Sequence, residues 1–209
     1  MLSTILAAHE GLGVSHRFPA LTRTAERISA LELGTLFLLG SGAAALSAFL
    51  NLSLGIPGHN VIRVVFPMVL GLALVPRQGA GSVMGLSGLA SAAVFSFAGA
   101  RGIGPGAMTS LALTGVVLDL ALLGARNGRS VYLRLAAAGV AANMVAFLMR
   151  GGVKMFTGGK VGALPFEFWW PKAVITYPVC GAVAGLICAA VLFRVTAGGK
   201  PESNREAPA

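Results

Sequence analysis

His59, Arg63 and Pro67 stand four residues apart in His-Asn-Val-Ile-Arg-Val-Val-Phe-Pro, a spacing that stacks them on one face of a helix. Pro67 has no N–H, so the carbonyl of Arg63 loses its helical partner. A guanidinium beside an imidazole is equipped to hold an anion, because arginine offers a planar fork of donors to a carboxylate or phosphate. The bland alternative is an arginine that snorkels to headgroups from a helix end; we read Arg63 as a site residue. Asn60, Arg101, Asn143, Trp169, Trp170 and Lys172 complete the candidate ligand-binding set with His59 and Arg63. Asn143 lies deep in an apolar run, where it serves either as interhelical glue or as a ligand contact. Trp169 and Trp170 serve either as interfacial anchors or, with Phe166, Glu167 and Phe168, as an aromatic lid.

Other reactive types lack their partners. Gly85-Leu86-Ser87-Gly88 matches the Gly-x-Ser-Gly of rhomboid-type intramembrane serine proteases, which need a histidine on a later helix. His9, His16 and His59 all precede Ser87, so no base is placed to activate it. We therefore expect no enzyme. Three scattered histidines and two cysteines give no metal-ligand spacing, and no cofactor is expected. Cys180 and Cys188, eight residues apart, would lie about 12 Å apart along one helix, too far for a disulfide. Without a Gly-x-x-x-x-Gly-Lys-Ser/Thr motif, the chain does not itself hydrolyse ATP by the P-loop route.

The elements that must position these residues are apolar helices. Of the 209 residues, 56% are hydrophobic and only 11% charged, against about a quarter charged in soluble domains; mean hydropathy is +0.80. The composition implies an all-α polytopic membrane protein, a bundle of about six transmembrane helices. The apolar runs cover 33–54, 61–75, 80–100, 105–124, 131–149 and 173–193, within a membrane domain of 33–195. Residues 1–32 read as a cytoplasmic segment open to an amphipathic helix, and 196–209 as a disordered cytoplasmic tail. The net charge of +9 falls mainly in short gaps between apolar runs, which argues for a topology signal and against nucleic acid.

Asp119, in the fourth run, is expected near the inner interface or paired with Arg126 or Arg134. Gly40, Ala44 and Ala48 recur every four residues in the first run, a stripe that lets another helix approach closely, from a partner or from this chain. Gly181, Gly185 and Ala189 repeat the spacing in the sixth, where internal packing is expected.

Orientation follows from the Lys and Arg count. With the N-terminus inside, ten fall on inner segments and six on outer ones, which favours both termini in the cytoplasm of a cell (inner or plasma) membrane. The outer six are Arg63, Arg101, Arg150, Lys154, Lys160 and Lys172. Such a cluster on the disfavoured side suggests compensation by anions.

Six short spans, the Ala44-x-x-x-Ala48 step, Gly- and Pro-rich outer loops and the missing ATPase motif resemble the substrate-binding components of energy-coupling factor (ECF) transporters. The resemblance covers the whole chain in layout. It implies uptake of a small, anionic, vitamin-like solute, energised by a transmembrane coupling subunit and ATPase subunits. It also assigns the coupling contact to Ala44 and Ala48 (with Gly40 in the same stripe) and an outward-opening pocket to His59, Asn60, Arg63, Arg101 and the 154–172 stretch. The mixed-charge N-terminal segment departs from the family's compact pattern. A stand-alone secondary carrier and a non-transporting assembly or scaffold protein are the alternatives.

Overall fold

The computed structural model describes residues 7–9, 12, 17, 20–21, 28–50, 55–99, 104–126, 128–157 and 165–194. These hold six α-helices and no strand, the only β-type pairing being an isolated bridge between Ala8 and Arg77. Helix α1 spans Ala30–Phe49, α2 Ile62–Leu74, α3 Ala80–Phe97, α4 Pro105–Leu122, α5 Gly128–Thr157 and α6 Phe166–Leu192; a 3-10 turn, His59–Val61, leads into α2. Four of them, α1, α3, α5 and α6, are long and apolar enough to cross a membrane. That is compatible with a multi-pass membrane protein. Helices α2 and α4 are apolar but shorter: the 13 residues of α2 rise about 20 Å, against a hydrocarbon core of about 30 Å.

Local chemistry sets the boundaries. Ser29 caps α1 in a capping box, its Oγ accepting from Glu32 N and its own N–H donating to the Glu32 carboxylate at 2.6 Å, which satisfies orphan donors of the first turn. Gly58 and Gly79 precede the 3-10 turn and α3 at φ 86° and 77°, backbone that L side chains rarely adopt. Pro105 opens α4, where its missing N–H costs nothing. Helices α5 and α6 run on into the stretch that reads from sequence as one long connection: α5 continues to Thr157 and α6 begins at Phe166.

The helices close a ring in the order α1, α3, α4, α5, α6, α2, and α2 also touches α3 and α4. That central position buries Val64, Val65, Met68, Val69, Leu72 and Ala73 of α2. Glycines allow the tightest crossings. A Cβ on Gly139 would lie 2.1 Å from the Gly181 carbonyl oxygen, and one on Gly115 2.1 Å from that of Gly81. The outward faces remain apolar, with Phe37, Leu38, Leu86, Phe97, Leu133, Leu148 and Ile175 all exposed.

The C-terminal ends of α2, α4 and α6 gather at one end of the bundle, and described residues of the N-terminal segment lie across them. Leu21 N donates to Leu74 O, His9 Nε2 bonds Leu122 O at 2.9 Å, and Arg17 reaches Leu192 O and Phe193 O, each at 3.0 Å. These contacts supply partners to carbonyls that a helix end leaves open. Leu12 is fully buried. The opposite end carries the 3-10 turn.

Candidate functional site

At that opposite end a small cavity of about 50 Å³ lies among five helices. Asn60 and Arg63 enter it from the turn and the start of α2, and Asn143 and Arg150 from α5. Ser47 of α1, Ser110 of α4 and Tyr177 of α6 complete its polar wall. Asn143, Ala146 and Arg150 follow helical spacing, so one face of α5 serves the site. Among the described residues, no acidic one lines the cavity.

Backbone carbonyls hold Asn143 and Arg63 in place. Asn143 is 2% exposed, and its Nδ2 donates to Gly58 O at 3.1 Å and to Tyr177 O at 2.7 Å. It thereby ties the turn before α2 to α6. Arg63 donates through Nη1 to the carbonyl of Leu50, the residue that ends α1. The stem of Arg150 crosses the first turn of α4, where a Cβ on Gly106 would meet its Cγ at 3.2 Å. Arg150 Nη1 approaches the Tyr177 hydroxyl at 3.5 Å.

Two groups are left over. Arg63 Nε and Asn60 Oδ1 are buried and have no hydrogen-bond partner, although an unmet buried polar atom costs about 1–3 kcal/mol. The Arg63 and Arg150 charges also repel one another. An occupant that carries negative charge, accepts from Nε and donates to Oδ1 removes all three penalties. Water satisfies the hydrogen bonds alone.

Of the residues singled out by sequence, the cavity unites Asn60, Arg63 and Asn143. His59 does not line it; its Nδ1 is hydrogen-bonded to Ile56 O within the turn. Trp169 and Trp170 lie in the first turns of α6 rather than in a loop. Trp169 is buried and stacks on Phe147 with ring centroids 5.7 Å apart, while Trp170 is tilted against the same ring at 4.8 Å. That aromatic cluster includes Ala146 and Tyr177, so the tryptophans back the cavity wall instead of closing over it. Lys172 is exposed, and Arg101 lies outside the described residues, as does Lys160. Arg150, Tyr177, Ser47 and Ser110 were not among the sequence candidates. Only Arg150 carried a signal, as a basic residue seven positions after Asn143.

The small-residue stripe of α1 is turned inward. A Cβ on Gly40 would meet Ser87 Oγ at 2.0 Å and Met84 O at 2.3 Å of α3, Ala44 is fully buried, and Ala48 is partly buried against the same core. Gly40 and Ala44 therefore offer no open surface to a coupling partner, because α3 already occupies the approach that the stripe permits. The same contact accounts for the serine motif: Ser87 is buried and its hydroxyl donates to Met84 O. Asp119 pairs with neither Arg126 nor Arg134. Its carboxylate accepts from Gly81 N, Ser82 N and Ser82 Oγ at 2.6–2.9 Å, while Arg134 caps Ala121 O and Leu123 O at the end of α4. Among the described residues no three His, Cys, Asp or Glu side chains come together as a metal site.

No protein-family model matches this sequence, and neither a curated protein nor a solved structure matches the chain.

Proposed function

We propose that the chain is a six-span membrane protein that binds a small oxyanion between Arg63 and Arg150, on the outer side of a cell membrane with both termini cytoplasmic. One observation carries the reading: two arginines share a cavity lined by no acid among the described residues, and one keeps a buried donor without a partner. Structural arginines are ordinarily paired, as Arg77 is with Glu32. The unmet Asn60 Oδ1 narrows the ligand to one that also bears an O–H or N–H, such as a hydroxy acid or a hydrogen phosphate.

The size of the cavity bears on the substrate class. About 50 Å³ holds a few waters or one charged group, whereas pockets that enclose a drug-sized ligand run to roughly 300–1,000 Å³. The anion-recognising end of a molecule fits; a whole vitamin requires the helices to part. An uptake role as an ECF-type substrate-binding component, with coupling and ATPase partners, draws support from the six-helix layout and from a site at the end opposite the N-terminal segment. It no longer draws support from Gly40 and Ala44. A stand-alone carrier uses the same site equally well.

The test is isothermal titration of purified protein with inorganic phosphate, glycolate and acetate. Binding is expected for phosphate and glycolate, with acetate weaker because it gives Asn60 no donor. Arg63→Lys should weaken binding at least tenfold, about 1.4 kcal/mol, since an ammonium lacks the fork. Wild-type affinity in Arg63→Ala overturns the reading.

A further inference from the structure

A second concavity begins where the first ends. It is an open apolar groove of about 610 Å³ between α1 and α2, lined by Leu39, Gly42, Leu46 and Phe49 of α1 and by Phe66, Pro67 and Leu70 of α2. Arg63 lines the first site and reaches the edge of the second. Arg63, Phe66, Pro67 and Leu70 follow the spacing of one helix face, and the Arg63 guanidinium rests on the carbonyl of Leu50, which also lines the groove. The groove is therefore an apolar trough with a cation at one end, next to a cavity with room for one charged group.

We propose that this pair of sites holds an anionic glycerophospholipid, its phosphate at Arg63 and one acyl chain along the groove. The inference rests on the anion site described above and names the class of molecule that occupies it. Length supports it. From Leu39 to Leu50, α1 rises about 16 Å at 1.5 Å per residue, which is half of a hydrocarbon core about 30 Å thick. That is the reach of one chain in one leaflet. Arg63 lies at the helix ends, where headgroups lie. Charge supports it too, because no acidic residue among the described ones lines either concavity and a phosphate has no carboxylate to compete with for the guanidinium. The open wall of the groove suits a ligand that enters sideways from the bilayer.

Gly42 allows the groove to be filled without touching the core, since a Cβ there meets nothing within 4 Å. The experiment titrates the full chain in detergent with phosphatidylglycerol and with phosphatidylcholine, read by native mass spectrometry, alongside inorganic phosphate read by calorimetry. Phosphatidylglycerol should bind at least tenfold tighter than phosphatidylcholine. Gly42→Phe should weaken phosphatidylglycerol tenfold and leave inorganic phosphate unchanged, whereas Arg63→Gln should weaken both. Equal binding of the two lipids, or phosphatidylglycerol binding that ignores Gly42→Phe, overturns the proposal. A Gly42→Phe variant that changes the oligomeric mass and not lipid retention overturns it in favour of a second copy in the groove. Failure of inorganic phosphate to bind the wild type, with lipid binding still sensitive to Gly42→Phe and Arg63→Gln, sinks the small-anion reading and leaves the lipid site standing.

Discussion

Glu32 and Arg77 meet at 3.1 Å with both side chains 1% exposed. A second bond, Arg77 Nη2 to Glu32 Oε2, closes the fork at 3.3 Å. The pair ties the first turn of α1 to the break between α2 and α3, and the same carboxylate accepts from Ser29 N in the capping box. Arg77 is one of the ten inner basic residues in the sequence count, and here it is internal and neutralised.

Removing one partner leaves the other charged and buried without the opposite charge of this fork. Arg77→Met should therefore destabilise the protein by about 3–5 kcal/mol. The double variant Glu32→Met with Arg77→Met should lose less than Arg77→Met by itself, because neither buried charge of the fork remains. Unfolding of the purified protein by SDS titration measures both, and strictly additive losses would show that the two side chains act independently.

Asp119 predicts a different pattern. Its three bonds cap the N-terminus of α3 from α4, a position that favours negative charge as well as an acceptor. Asp119→Ala should cost about 1–2 kcal/mol, and Asp119→Asn, which keeps one acceptor oxygen, roughly half of that. Arg134→Gln combined with Asp119→Asn should be additive in thermal denaturation. A coupling between them would restore the ion pair expected from sequence.

Two glycines give opposite signs for one substitution. A Cβ on Gly181 would sit 2.4 Å from Gly139 O and 2.7 Å from its carbonyl carbon, both backbone, whereas one on Gly42 meets nothing. Gly181→Ala must push α5 and α6 apart, at about 1–3 kcal/mol. Gly42→Ala should stabilise by about 0.5–1 kcal/mol through helix propensity. The melting temperatures should move in opposite directions, and a common direction refutes the packing account of α5 and α6.

These sites show where sequence reading stopped. Apolar runs and Gly–Pro punctuation locate the helices, because in such a chain composition alone separates helix from turn. The errors fall where a polar or breaking residue sits inside a helix. Arg150-Gly151-Gly152 has the composition of a helix end, yet α5 continues past it and carries Arg150 into the cavity wall. Pro171 and Lys172 suggest a boundary, yet α6 begins five residues before Pro171, so Trp169 and Trp170 are packing residues. Ser47, Ser110 and Tyr177 had no signal at all: one hydroxyl in an apolar run looks like any other until the neighbouring helix is in place. Arg63 was visible because charge within a span is rare.

Arg150 permits the sharpest separation of binding from stability. It faces Arg63 across the cavity, and its charge opposes that of Arg63. Its polar contact with the described wall is a long one, 3.5 Å to the Tyr177 hydroxyl. Arg150→Gln keeps the Cβ–Cγ stem that lies over Gly106 and removes the repulsion, so the unliganded variant should melt higher than wild type. The gain is held below about 1 kcal/mol because water and salt screen groups that are only partly buried. With anion present the order reverses. A ligand that binds only the folded state stabilises it by about 2.7 kcal/mol at a hundred times its Kd, and the variant, with half of the charge pair gone, should show less of that shift. Titrating inorganic phosphate into both proteins while following the melting temperature should give curves that cross. Parallel curves, with Arg150→Gln gaining as much from phosphate as wild type, would place the anion away from Arg150 and leave Arg63 to hold it unaided.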